Sequence, residues 1–135
     1  MSARTKARKR ALDVLYAAEL RGETATEALD RAIADGEAPT NDYTVTLVRG
    51  VEEHRARIDE VLSSYAEGWT LQRMPAVDRA ILRLGAFEVL YSADVPEPVA
   101  ISEWVGLATE LSTDDSPRFV NGLLARLVEV KPTLA

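Results

Sequence analysis

The sequence predicts an all-α protein arranged as two packed three-helix bundles. Apolar residues recur at steps of three and four along most of the chain. No segment alternates with the period of two that a half-buried strand needs. The glycines and prolines fall mostly at the ends of the periodic segments, where they stop or start helices. At 135 residues, roughly two-thirds of the unfolded surface can be buried with no metal or disulfide staple. One domain is expected, with helical halves at residues 1–66 and 75–135 and a connector at 67–74.

The first helix should run from about Arg4 to Arg21 and stop at Gly22. It carries two apolar seams, Ala7-Ala11-Val14-Ala18 and Leu12-Leu15-Tyr16-Leu20, so it packs on more than one side. Thr24 and Glu27 have capping-box spacing and open a short second helix with Leu29, Ala32 and Ile33 inward and Gly36 as its stop. A third helix is expected from Asn41 or Asp42 to about Tyr65, on the stripe Val48-Val51-His54-Ile58-Val61-Tyr65. Gly68 breaks it, and the connector holds Trp69 and Leu71. Pro75 suits the first turn of a fourth helix, apolar nearly all round, which belongs at the centre of the bundle. Pro96 and Pro98 precede a fifth helix running to about Leu111, with Ile101, Trp104, Val105, Ala108 and Leu111 inward. Pro117 opens a sixth through Val120, Leu124 and Leu127, with Asp114, Asp115 or Ser116 as its cap.

Composition excludes several chemistries. With no cysteine, disulfides, thiolate metal sites and cysteine nucleophiles are ruled out, and a reducing compartment suits the chain. A single histidine excludes a histidine-based metal cluster within one chain. His54 itself reads as a core or boundary residue with a satisfied nitrogen. No glycine-rich phosphate loop or nucleophile elbow is present, so neither cofactor nor catalysis is expected. The apolar stretches fall short of the roughly 20 residues a membrane span needs. A soluble cytoplasmic protein is the expectation.

The net charge of −6 hides an asymmetry. Residues 1–12 hold Arg4, Lys6, Arg8, Lys9 and Arg10 with no acid, so the remainder is strongly acidic. A basic arm on an acidic body points to one localised polyanion site. Cations at a helix amino terminus oppose the macrodipole at about 0.3–1 kcal/mol each, so folding alone would not place them there. The arm therefore asks for an external anion: nucleic-acid phosphates, or an acidic protein or membrane surface. A frayed, solvated terminus is the bland alternative. Phosphate contacts would grip a strand without reading its sequence.

Four blocks carry a family resemblance. Ala7-Arg8-Lys9-Arg10-Ala11-Leu12 leading to Leu15-Tyr16, Val77-Asp78-Arg79-Ala80-Ile81-Leu82-Arg83, and the tract from Asp94-Val95-Pro96 to Glu103 are the first three. The fourth, Asp115-Ser116-Pro117-Arg118-Phe119-Val120-Asn121-Gly122-Leu123-Leu124, is close to the signature F-V-N-G-x-L. In this order and spacing the chain resembles the NusB family of bacterial transcription antitermination factors. The stretch from Thr40 through Trp69 to Arg83 looks most like actinobacterial members. The resemblance implies an all-helical RNA-binding protein that pairs with NusE, a ribosomal small-subunit protein. The pair would bind single-stranded boxA RNA of ribosomal-operon transcripts and act on RNA polymerase in an antitermination complex. It implies RNA contacts at the five arm cations and at Asp115, Arg118 and Phe119, and a partner-facing acid at Asp78. Pro117 stands where other members leave an amide free, and the arm ahead of Arg4 is short.

The residues add their own reading. If Phe119 is exposed, its ring offers a stacking platform worth about 1–3 kcal/mol per base; otherwise it is core. Arg118 either holds a phosphate or pairs with a surface acid. Arg79 and Arg83 share a face, and Arg83 is the candidate to extend the basic track, a solvated polar stripe being the alternative. Gly122 is expected to permit close helix approach. Monomer and homodimer both remain open. Competing readings are a helical protein–protein adaptor, a helix-turn-helix DNA regulator, and a NusB-like RNA-binding domain of a ribosomal RNA methyltransferase. For the last, 135 residues leave no room for a catalytic domain.

Overall fold

The computed structural model describes residues 2–39 and 41–134; Thr40, where the actinobacterial-like stretch begins, lies outside them. Within these residues the chain forms seven α-helices and no strand: α1 (Ala3–Arg21), α2 (Ala25–Ala34), α3 (Asp42–Glu53), α4 (Arg55–Tyr65), α5 (Ala76–Tyr91), α6 (Glu97–Leu111) and α7 (Ser116–Val130). Short 3-10 turns at Leu71–Arg73 and Lys131–Thr133 complete it.

Local signals set the helix ends. The Ser2 hydroxyl accepts the Thr5 amide at 3.1 Å to start α1. At its end Gly22 adopts φ 67°, and the amides of Gly22 and Glu23 return to Glu19 and Ala18 as in a Schellman motif. The Thr24–Glu27 capping box opens α2, each partner accepting the other's amide at 3.0 Å. On α1, Ala7, Ala11, Leu12, Val14, Leu15 and Ala18 are buried, but Tyr16 and Leu20 of the second seam stay exposed, as does Ile33 of α2.

The expected third helix is two helices. His54 breaks it at φ −103°, ψ 14°, and its ring stacks on Tyr91 of α5 at 3.9 Å between centroids. The Phe87 ring fills the space a Cβ on Gly50 would need, seating α3 close on α5. From this pivot the chain diverges: α3 packs with α1, α2 and α5, whereas α4 turns onto α5 and α7. Periodicity could not show this, because the His54 amide still reaches Gly50 and the Ile58 amide still reaches His54. The apolar stripe stays in register across the bend.

α5 is the central helix, touching α1, α3, α4, α6 and α7. Gly85 lets α7 approach, for a Cβ there would lie 2.8 Å from Leu124 Cδ1. Gly122 does not have the role expected of it: it is exposed, with nothing within 4 Å of a Cβ position. Trp104 of α6 is fully buried, while Leu111, expected inward, is partly exposed.

The α2 cap provides a local stability test. Thr24→Ala should lower unfolding free energy by about 1 kcal/mol through loss of the cap. A lowered urea midpoint at unchanged denaturant slope is the expected result; an unchanged midpoint would mean α2 does not depend on its cap.

Candidate nucleic-acid interface

The first two turns of α1 divide the arm's cations into different environments. Arg8 is 2% exposed and faces inward. Its Nε and Nη2 donate to Glu88 at 2.6 and 2.9 Å, and its Nη1 donates to Glu103 at 2.8 Å. Glu88, fully buried on α5, also accepts from Trp104 Nε1 and from the Tyr43 hydroxyl, each at 2.7 Å. The anion answering Arg8 is therefore internal, which corrects both its assignment as an RNA contact and the inference that all five cations need an outside partner. Burial first, then the hydrogen bond to Glu88, pushes the Tyr43 hydroxyl up to about 12.

The other arm cations remain at the surface. Arg4 pairs with Asp94 at 3.0 Å and lies 4.3 Å from the centre of the Tyr43 ring. Lys9 pairs with Glu110 at 2.8 Å. Arg10 donates to the Glu37 carbonyl at 3.3 Å. Lys6 is exposed and has no side-chain partner among the described residues. These exposed pairs contribute little to stability, because water screens them.

Two further expectations change. Arg83 grips Asp59 of α4 with two donors at 2.9 and 3.1 Å, and its side chain is only 11% exposed, so it ties α5 to α4 and does not extend the basic track. Arg79 likewise serves the fold, pairing with Glu19 and holding the carbonyls of Leu71 and Met74 at 2.7 and 2.8 Å. Asp78 is 4% exposed and accepts from the Ser112 and Ser116 hydroxyls at 2.5 and 2.8 Å. It is not a free surface acid; it fastens the turn ahead of α7 to the start of α5. Ser116 also accepts the Thr113 amide at 3.2 Å, whereas Asp115 makes no side-chain cap.

That turn sets out Asp115, Arg118 and Phe119. Asp115 and Arg118 are exposed, with no ion-pair partner among the described residues. Phe119 is half-buried, and the half-exposed Trp69 ring lies 6.4 Å away at a 56° tilt. With Met74, Pro75, Asp78, Thr113, Asp115 and Ser116, these rings line a cavity of about 360 Å³. Lys9 reaches Glu110 near the end of α6, so the arm and the start of α7 lie on the same side. Sequence reasoning passed over Trp69 as a site residue, although an aromatic ring in a polar connector was the available signal. No cluster of three or more metal-ligating residues occurs among the described residues, and none of their helices is long and apolar enough to cross a membrane.

The NusB family model matches residues 5–129. The chain belongs to the NusB family. A transcription antitermination protein NusB of Nocardioides sp. is 69% identical over the whole of both chains. The T. maritima NusB structure superposes with a TM-score of 0.84 at 32% identity, covering 95% of this chain and 92% of the other. The crystal structure of antitermination factors NusB and NusE in complex with dsRNA superposes at 0.81 and 26% identity, covering 94% and 96%.

The division of the arm has two measurable consequences. Arg8→Gln should cost about 3–5 kcal/mol of stability by stranding the Glu88 carboxylate, whereas Lys6→Gln should stay within about 0.5 kcal/mol of the parent. Equal urea midpoints for the two variants would contradict the buried pair. Tyr43 is held neutral in the folded state, so its contribution is complete below its ordinary value of 10.0 and is lost as pH rises toward about 12. Stability should fall more steeply over that interval in the parent than in Tyr43→Phe. Parallel urea-midpoint curves for the two proteins would exclude this role.

Proposed function

We propose that this protein binds single-stranded boxA RNA together with NusE and acts, without catalysis, as a cytoplasmic antitermination factor on RNA polymerase. The observation that carries the reading is an arm of surface cations, tied through Lys9 to the end of α6, with a partly exposed aromatic pair at the start of α7. Lys6, Lys9 and Arg10 belong to the arm, and Arg118, Phe119 and Trp69 to the other end. This combination suits a single strand, whose backbone follows the charge while an unstacked base meets a ring. A NusB-family relative seen with NusE in complex with dsRNA supports RNA and NusE as partners, while the strand assignment rests on the rings and cations. With Asp78 withdrawn into the fold, the exposed apolar pair Tyr16 and Leu20 on α1 offers NusE a surface.

Salt dependence tests the arm. Log affinity for a single strand falls with log salt at about −0.7 per phosphate neutralised, so four engaged cations give a slope of roughly −3. Lys6→Gln, Lys9→Gln and Arg10→Gln combined should flatten that slope by about 2 units. Folding stability should stay level because Arg8 is retained. A parent-like slope would place the RNA elsewhere. Tighter binding of duplex than of single-stranded RNA would overturn the strand assignment, and RNA affinity unaffected by NusE would overturn the joint mechanism.

A further inference from the structure

Phe119 forms a ridge between two hollows. Besides the hollow it shares with Trp69, it lines a second groove of about 380 Å³ between α7 and the end of α4. Tyr65 and Ala66 line one wall, and Arg118, Gly122 and Arg126 the other, with Glu67 its one acid. Arg118, Gly122 and Arg126 follow at i, i+4 and i+8 on α7, so the two arginines leave the helix about 12 Å apart along its axis with a bare backbone between them. The Arg126 guanidinium lies 5.6 Å from the centre of the Tyr65 ring. Its pairing with Glu129 at 2.7 Å is exposed on both sides, a contact a phosphate can replace at little cost.

The glycine is the informative residue. In a helix glycine is among the poorest choices, and Gly85 on α5 shows how packing compensates for it. Gly122 has no such compensation, since nothing lies within 4 Å of its Cβ position. Gly106 is similarly open, and it falls on α6 between Glu103 and Glu110, the acids that meet the arm. Gly106 thus lies beside the arm, and Gly122 lies past Phe119 on α7.

Resting on the RNA reading above, we propose that the α4–α7 groove carries the continuation of the RNA strand past Phe119. Arg126 holds a phosphate, Tyr65 steadies the guanidinium from the opposite wall, and Gly122 leaves the floor low enough for the strand to lie close. The occupant is a single strand because the groove shares Phe119 with the first hollow, and its α7 wall adds the cations Arg118 and Arg126 and no acid.

The test uses the full chain with NusE and three single-stranded RNA probes: a core probe, and the same probe extended by a few nucleotides at either end. One extension should tighten binding to the parent protein. Arg126→Gln should remove most of that gain, about a 3–10-fold loss for the removal of one phosphate contact, while leaving the core probe unaffected. Gly122→Glu, which sets a carboxylate between the two arginines, should abolish the gain. Arg49→Gln, a comparable charge removal far from the groove, should not change it. Arg126→Gln and Gly122→Glu binding the extended probes as the parent does would overturn the groove, as would equal weakening of core and extended probes. A change in NusE affinity with RNA affinity untouched would also overturn it, by making the occupant a protein. Should the arm variants also bind RNA like the parent, the RNA reading itself fails. Weakening by the arm variants alone refutes only the groove.

Discussion

The Glu88 carboxylate sits at the middle of the molecule and accepts hydrogen bonds from α1, α3 and α6 while belonging to α5. An ionised carboxylate in such a place is tolerable only if each lone-pair direction is answered and a countercharge is close. Arg8 supplies the charge with two donors, and Trp104 and Tyr43 supply the remaining hydrogen bonds. Because these donors come from different helices, the carboxylate specifies how α1, α3 and α6 stand around α5 in a way that interchangeable apolar contacts do not. The arm's direction follows. With Arg8 anchored one side of α1 faces inward, and Lys6, Lys9 and Arg10 are left to the outside.

What could be read in the sequence was what depends on neighbours in the chain. Helix ends at Gly22, Thr24 and Gly36, the central position of α5 and the burial of Trp104 all follow from caps, breakers and periodicity. Long-range pairing was not legible. Arg8 looks like one more cation in a basic run, and nothing in its spacing announces a buried glutamate eighty residues later. Asp78 reads as a first-turn acid suited to the helix dipole, and that reading conceals its two serine partners. His54 keeps the three-and-four rhythm through a bend, so the break left no mark in the pattern. Gly122 was misjudged for the same reason: whether a missing Cβ makes room for a neighbour, as Gly85 does for Leu124, or for nothing depends on what lies opposite.

The candidate site inherits its precision from these hidden contacts. Asp78 holds Ser112 and Ser116, which fixes the turn from which Arg118 and Phe119 project. Arg83 and Asp59 bind α4 to α5, and this places Tyr65 and the connector bearing Trp69 against α7. Residues first read as contacts with RNA or a partner thus act one step behind the surface. A site assembled from loop and helix-end residues needs such support, since a stacking ring is useful only where its neighbours keep it exposed.

Phosphate contacts position a strand but carry no sequence information, so on the RNA reading proposed above selectivity falls to the hollow between Trp69 and Phe119. Asp115 is informative there. Its carboxylate lines the cavity, caps nothing and is exposed. Beside a phosphate it would repel the ligand, and as a helix cap it would have been satisfied by an amide. A carboxylate accepts hydrogen bonds only, so a base stacked on Phe119 would satisfy it by presenting an amino group. Bases offering only carbonyl oxygens on that edge would leave two sets of acceptors facing each other. On the RNA reading proposed above, the arm would then set the strength and salt dependence of binding, and the acid at the far end would select the base placed on the ring.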